Sequence, residues 1–327
     1  MERGTVEQRN NRRSVEKAFE PLTPKLCFQL MAPHTLAPSI LALTFTLVFT
    51  TVTFSGSVNL LLFAVLFVIC TLMQAAANTL NDYFDYKKGT DSLENSSEDA
   101  FDAVLVYHRL NPKHVLVFAI AQLVIAAILG CYIVSLSGLT VLVIGIIGAL
   151  VVVIYSAGKT PLSYLPIGEV AIGFTMGGLI PLACVYVLSG VLDWWLMLTG
   201  LPLMIGIGMI LATNNTCDIE KDIASKRHTL AVTLGREQAP MFYKLVLIVW
   251  MAVTLVLELC FYTPGVVMGI LMICAAFPVL RALFANPLNQ NSRDGAMAQI
   301  ISLNIIFIIF ISFYCLAIAI TPIVSFI

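Results

Sequence analysis

"NTLNDYFDYKKGTD", residues 78–91, places three aspartates, Asp82, Asp85 and Asp91, directly after a long apolar run. A second stretch, "NNTCDIEKD" at 214–222, does the same with Asp218 and Asp222. Both stand out because the 327-residue chain is 59% hydrophobic and only 11% charged. Its mean hydropathy is +0.93, and a soluble domain carries about a quarter charged residues. Several runs of about 18 to 22 residues lack any charge, each long enough to cross a bilayer as a helix. The composition therefore describes an all-α polytopic membrane protein, with its acids gathered at the ends of two helices.

Apolar periodicity and its breaks predict helices near 36–55, 59–80, 114–134, 138–156, 168–189, 194–213, 241–262, 265–285 and 296–321. The 18 Lys and Arg residues fall in the N-terminal tail and after the second, fourth, sixth and eighth of these helices. The alternate connections, "TFSGS", "SLSG", "SGVLD" and "YTPG", carry none. This one-sided charge map obeys the positive-inside rule. It predicts nine spans, a cytoplasmic N-terminus, an external C-terminus and both acidic clusters on the cytoplasmic side. Residues 1–30 read as a cytoplasmic polar tail with "VEKAFEPL" (15–22) as a surface helix, and 31–327 as the membrane domain. The eight cysteines are scattered, with no CxxC spacing for metal or redox work. Nothing in the charge pattern calls for a nucleic-acid partner, and the tail's basic residues suit membrane lipids.

Asn78, Asp82 and Asp85 are spaced i, i+4, i+7, and Asn214, Asp218 and Asp222 i, i+4, i+8. Either set shares one face if helical. The bland reading is solvated, helix-flanking charge. Against it, Asn78 and Asn214 lie inside apolar runs, where polar side chains are costly and tend to be functional. An N-xxx-D pattern at corresponding places in two halves points to an internal duplication facing a shared cavity. Carboxylate and amide oxygens without His or Cys suit Mg²⁺, which takes one or two carboxylates plus substrate phosphates. Two such sets would grip a diphosphate, and the apolar surroundings would dissolve a hydrocarbon tail.

These residues resemble the UbiA superfamily of intramembrane aromatic prenyltransferases. "NTLNDYFDYKKGTD" is similar to its first Asp-rich motif and "NNTCDIEKDIASKRHTLAVTLG" (214–235) to its second. "YSAGKTPLSYLPIGEVAIGFTMGGLIP" (155–181) resembles the segment joining the fourth and fifth helices. In detail all three look most like the branch that prenylates 1,4-dihydroxy-2-naphthoate in menaquinone synthesis, and the similarity covers roughly residues 30 to 320. The resemblance implies nine helices around a central cavity in the cytoplasmic membrane of a prokaryote, with the active site open to the cytoplasm. It implies a polyprenyl diphosphate ionised with Mg²⁺ and attacked by an aromatic small molecule. Carried over by position, Asn78, Asp82, Asp85, Asp218 and Asp222 hold the metal–diphosphate, supported by Asn81, Asp91, Asn214 and Asn215. Tyr155 and Lys159 fall where the family contacts diphosphate, and Lys226 and Arg227 add charge.

The chain departs from the family in three places. It has "APHT" (32–35) where helix 1 commonly starts Arg-Pro, and Cys217 where Arg precedes the first Asp of the second motif. After the first motif it reads "EDAFDAVLVYHRLNPKH" (98–114), in which Arg109 is a candidate substitute contact. Three alternatives therefore stay open. The acceptor is another phenol, such as 4-hydroxybenzoate or homogentisate; the protein binds lipid diphosphate without turnover; or it is a transporter. The last predicts mid-span carboxylates or broken helices at matching places, and no Asp or Glu lies mid-span. Glu169, at the start of the fifth helix, either lines the cavity or simply favours a helix N-terminus.

Overall fold

The computed structural model describes residues 19–54, 58–91, 103–261 and 266–324. Among the described residues each range the sequence predicts is mostly helical. The segments are α1 (Ala37–Thr53), α2 (Leu60–Lys88), α3 (Pro112–Ser137) and α4 (Leu139–Ser156). They continue with α5 (Gly168–Ser189), α6 (Leu201–Cys217), α7 (Leu230–Phe261), α8 (Val266–Ala285) and α9 (Arg293–Val324). Among the described residues six helices are long and apolar enough to cross a membrane. A seventh follows if Pro24–Thr35 and α1, bent by 60° where they join, form one span. Among the described residues Leu201–Cys217 and Gly269–Ala285 are shorter apolar helices, so length and composition there support six or seven crossings and leave the expected nine unconfirmed. Most of the tail, residues 1–18, lies outside the described residues. Where the expected surface helix continues, residues 19–23 are not helical, and the helix there is Pro24–Leu30, capped by Thr23.

Two helix ends differ from expectation in a way that matters for the acids. α2 runs on to Lys88, because no Gly or Pro interrupts it before Gly89, which caps it at φ 73°. The first motif is therefore helix, not loop. The second motif breaks instead: α6 ends at Cys217, and a short helix, Ile219–Ala224, follows. α7 starts eleven residues earlier than predicted and is interrupted at Gly235 (φ 75°).

α3 and α4 turn apolar side chains outward. Only 11% of the α4 span is buried, and Val143, Ile146, Leu150 and Ile154 are exposed along it. Such a surface is stable only in contact with lipid. α2 packs chiefly on α3 and α4, whereas α6 is enclosed by α5, α7 and α9. α1 meets α5 and α9, which closes the bundle, and Phe45 shares a core with Leu303 and Phe307. The Trp250 ring stacks on Phe307 at 4.3 Å while its Nε1 donates to the Pro202 carbonyl at 2.7 Å. α5 carries a π-helical turn at Thr175–Leu179. There and one turn earlier, Gly173 and Gly177 lie against the backbone of Met204. Small residues let membrane helices approach this closely without a side chain between them.

Candidate active site

The first motif divides between two directions around α2. Asn78 donates to the Met31 carbonyl and to Thr35 Oγ1, both at 2.9 Å, and Asp82 Oδ2 accepts from the Leu105 amide at 3.2 Å. These contacts tie α2 to the segment before α1 and to the short helix Val104–Tyr107. Further round, Asn81 Nδ2 donates to Asp85 Oδ2 at 2.9 Å, and Ser156 Oγ at the end of α4 donates to Asn81 Oδ1 at 3.2 Å. Tyr164 follows in the α4–α5 connection. Its hydroxyl lies 2.8 Å from Thr90 Oγ1 and donates to Asp85 Oδ1 at 3.4 Å.

In the second motif the break at Asp218 removes the common face that a continuous helix would have supplied, and a cation regathers the groups. Arg293, the first residue of α9, donates from Nε to Asn214 Oδ1 at 2.9 Å and lies 3.3 Å from Asp218 Oδ2. Arg236 pairs with Glu220 and donates to the Thr216 and Leu288 carbonyls at 2.9 and 2.6 Å, which fixes the break.

Arg227 joins the two motifs. Its Nη2 lies 2.5 Å from Asp85 Oδ2 and its Nη1 3.6 Å from Asp222 Oδ1, with the guanidinium 5.1 Å from the Tyr164 ring centre. Burial opposes its charge, but Asp85 and Asp222 more than compensate and its pKa is raised. A second bridge runs from Lys221 Nζ to Asp91 Oδ1 at 3.9 Å. Tyr155 sits in the last turn of α4, next to Ser156, whose hydroxyl reaches Asn81.

Asp222 is pushed up from 3.8 to about 6, chiefly because it is buried. Arg227 gives its short contact to Asp85, so its pull on Asp222 only partly offsets the desolvation, and Asp218 adds to the rise. A folded-state pKa above the unfolded value means that the proton favours folding. That contribution is complete below 3.8 and lost as the pH rises through about 6. The unfolding temperature of chelator-treated protein should therefore fall as the pH is raised from about 5 to about 7, and Asp222→Asn should flatten the fall. An identical slope in both proteins would refute it.

On the exposed side of Tyr164 is a cavity of about 350 Å³ lined by Lys88, Thr90, Lys159, Lys226 and His228. It brings Lys159 and Lys226 together as cationic walls. Arg109 is exposed in a turn whose backbone meets Glu20, and it makes no ion pair among the described residues. Of the aromatic rings, Phe174 is 47% exposed and Tyr83 packs with the tail-side cluster around Leu26, while Phe84 lies under Lys88. Sequence reasoning missed Tyr164 and Arg293. Arg293 carried a signal: a cation at the first position of a helix opposes the dipole, so it needs a carboxylate partner. Tyr164 had none beyond lying in the α4–α5 connection.

Among the described residues no three His, Cys, Asp or Glu side chains gather tightly enough to hold a metal by themselves. Oxygen donors do flank the Arg227 guanidinium on both sides, Asp85 from one motif and Asp222 from the other. That donor set fits Mg²⁺ bound by one or two carboxylates per ion, with substrate phosphates completing the shell.

Residues 42–314 match the UbiA prenyltransferase family. Over 215 residues the chain is 33% identical to the 1,4-dihydroxy-2-naphthoate octaprenyltransferase of Bacillus subtilis (strain 168), covering 66% of this chain and 68% of that protein. The enzyme of the same name from Mycobacterium tuberculosis (strain ATCC 25618 / H37Rv) is 30% identical over 243 residues, 71% of this chain and 79% of that one. In fold the chain resembles a UbiA homolog from Archaeoglobus fulgidus solved with GPP and Mg²⁺. The TM-score is 0.63 at 14% identity, over 89% of this chain and 99% of that one.

Proposed function

The chain belongs to the UbiA prenyltransferase family, an integral membrane prenyltransferase, and we propose that it joins the prenyl group of a polyprenyl diphosphate to 1,4-dihydroxy-2-naphthoate for menaquinone synthesis. The observation that carries this reading is the Asp85–Arg227–Asp222 bridge, which ties the two acidic motifs into one site. The acceptor comes from the likeness to the naphthoate octaprenyltransferases. The donor class comes from the acidic motifs together with the GPP and Mg²⁺ bound by the archaeal homolog.

In this reading Asp82, Asp85, Asp218 and Asp222, with Asn78, would hold Mg²⁺. When bound, the ion neutralises the diphosphate and makes it a better leaving group. Arg227 reaches across to the diphosphate, and Lys159 and Lys226 meet it from the cationic cavity. Arg293 holds Asp218 and Asn214 at the angle the site requires, standing in for the arginine missing at Cys217. Asn81, Asp91 and Asn215 brace their neighbours, and Tyr155 is one residue from Ser156, which donates to Asn81. The allylic C–O bond breaks with its electron pair leaving on the diphosphate. The ring then attacks the cation, and loss of the ring carboxylate as CO₂ restores aromaticity. The one-sided basic residues support a site on the cytoplasmic face, and in this reading the membrane is the cytoplasmic membrane of a prokaryote.

Purified protein with Mg²⁺, a labelled polyprenyl diphosphate and a panel of aromatic acids should form prenylated, decarboxylated naphthoquinol in preference to any other product. Preferential prenylation of 4-hydroxybenzoate or homogentisate would refute the acceptor. Arg227→Leu should lower kcat/KM for the prenyl diphosphate by about 100-fold. Arg227→Lys should recover only part of the loss, since a single ammonium lacks the fork that spans two carboxylates. Equal activity of the Leu and Lys proteins would remove Arg227 from the site.

A further inference from the structure

Glu169 is the second residue of α5 and is buried, with 8% of its surface exposed. Its Oε1 accepts from Asn215 Nδ2 at 2.8 Å, and no donor among the described residues reaches its Oε2, which is fully enclosed. The pair exists because α5 and α6 approach without an intervening side chain: a Cβ on Gly208 would stand 3.0 Å from the Glu169 carbonyl. Through Asn215 Glu169 is tied to the second motif, whose neighbouring Asn214 and Asp218 meet Arg293. A buried carboxylate oxygen without a donor is costly, and a catalytic site is where a ligand can supply that donor.

The two substrates differ in what they can supply. A prenyl diphosphate carries only acceptors and negative charge at its head, and only hydrocarbon in its tail. A hydroxylated ring carries O–H donors. We infer that Glu169, held by Asn215, binds a ring hydroxyl of the aromatic acceptor through Oε2 and so orients the ring toward the allylic carbon. This rests on the prenyl-transfer reading above and deepens it. The hydroxyl donates, its proton stays shared with the carboxylate, and the electron density it releases into the ring raises the nucleophilicity of the attacking carbon. The acceptor's own carboxylate is repelled by Glu169 and points away from it, which sets which face of the ring meets the prenyl cation.

The test uses the full-length protein in lipid nanodiscs with dihydroxynaphthoate, its two mono-O-methyl ethers, a polyprenyl diphosphate and Mg²⁺. Glu169→Gln keeps the bond from Asn215 but turns a donor toward the ring. It should raise KM for the acceptor roughly 10- to 100-fold, leaving KM for the prenyl diphosphate and the Mg²⁺ requirement within about twofold. In the unmodified protein one of the two ethers should suffer a comparable loss, and in Glu169→Gln that ether should fare no worse than the parent acceptor. Glu169→Asp retains the charge at a shorter reach and should show a smaller KM rise with the ether discrimination intact, so the inference stays testable if Glu169→Gln fails to fold. Unchanged acceptor KM, or a parallel rise in the prenyl diphosphate KM and Mg²⁺ requirement, overturns it, the latter by making Glu169 part of the metal–diphosphate grip. An unmodified protein that prenylates no hydroxylated ring overturns the functional reading and this inference together. One that does so while Glu169→Gln behaves identically overturns the inference alone.

Discussion

Prenyl transfer by an Asp85→Asn protein should fall by about a thousandfold, roughly 4 kcal/mol of lost transition-state stabilisation, while the protein still inserts and folds. Asp85 is held at both oxygens: Arg227 and Asn81 both donate to its Oδ2, and Tyr164 donates to Oδ1. An amide of the same shape keeps one acceptor oxygen and turns two N–H donors toward groups that are themselves donors. It also removes the charge that binds a cation and that holds Arg227 between the motifs. Asparagine is preferable to alanine here, since removing one partner of a buried ion pair outright costs about 3–5 kcal/mol of stability and would confuse misfolding with lost chemistry. The measurement is product formation at saturating Mg²⁺, alongside the unfolding temperature in detergent. Activity within about tenfold of the unmodified protein would mean that the first motif does not carry the diphosphate chemistry.

The largest effect on stability is expected from Gly177→Ala. A Cβ at this position would stand 2.6 Å from Met204 Cα and 2.8 Å from its amide nitrogen. Both are backbone atoms of α6, so no rotamer change relieves the clash and the two helices must separate. Overpacking costs typically 1–3 kcal/mol, and a clash with rigid backbone at a close membrane-helix contact belongs at the upper end, about 3 kcal/mol. The consequence extends to the site, because α5 and α6 carry Glu169 and Asn215 about two to three turns away. A fall in unfolding temperature should therefore accompany a loss of acceptor affinity. A Gly177→Ala protein as stable as the unmodified one would show that the helices are packed less closely than this.

Much of the architecture was legible in the residues. Charge-free runs long enough to span a bilayer, with Lys and Arg confined to alternate connections, leave few arrangements other than a helical membrane bundle. Helix ends were less legible, because boundaries depend on caps. Gly89 holds α2 closed for eight residues past its predicted end, and Gly235 divides α7. The nine-span count was drawn from hydropathy and charge, and among the described residues it is confirmed for six helices, or seven with the bent pair.

The site shows the same division. The proposal that two acid-rich motifs hold a hard cation and a diphosphate came from residue type and spacing alone, since oxygen donors without His or Cys suit such a cation. Which acid meets which cation does not. Arg227 reaches Asp85 across 142 positions and Arg293 reaches Asn214 across 79, contacts no local pattern encodes. The break at Asp218 removed the helical face on which the spacing argument depended. The sequence by itself determined the chemistry available, because donor type and membrane depth are properties of residues and runs. Only the tertiary structure decided that Glu169 is buried beside Asn215 with an oxygen left to offer, because that depends on two helices meeting glycine to backbone.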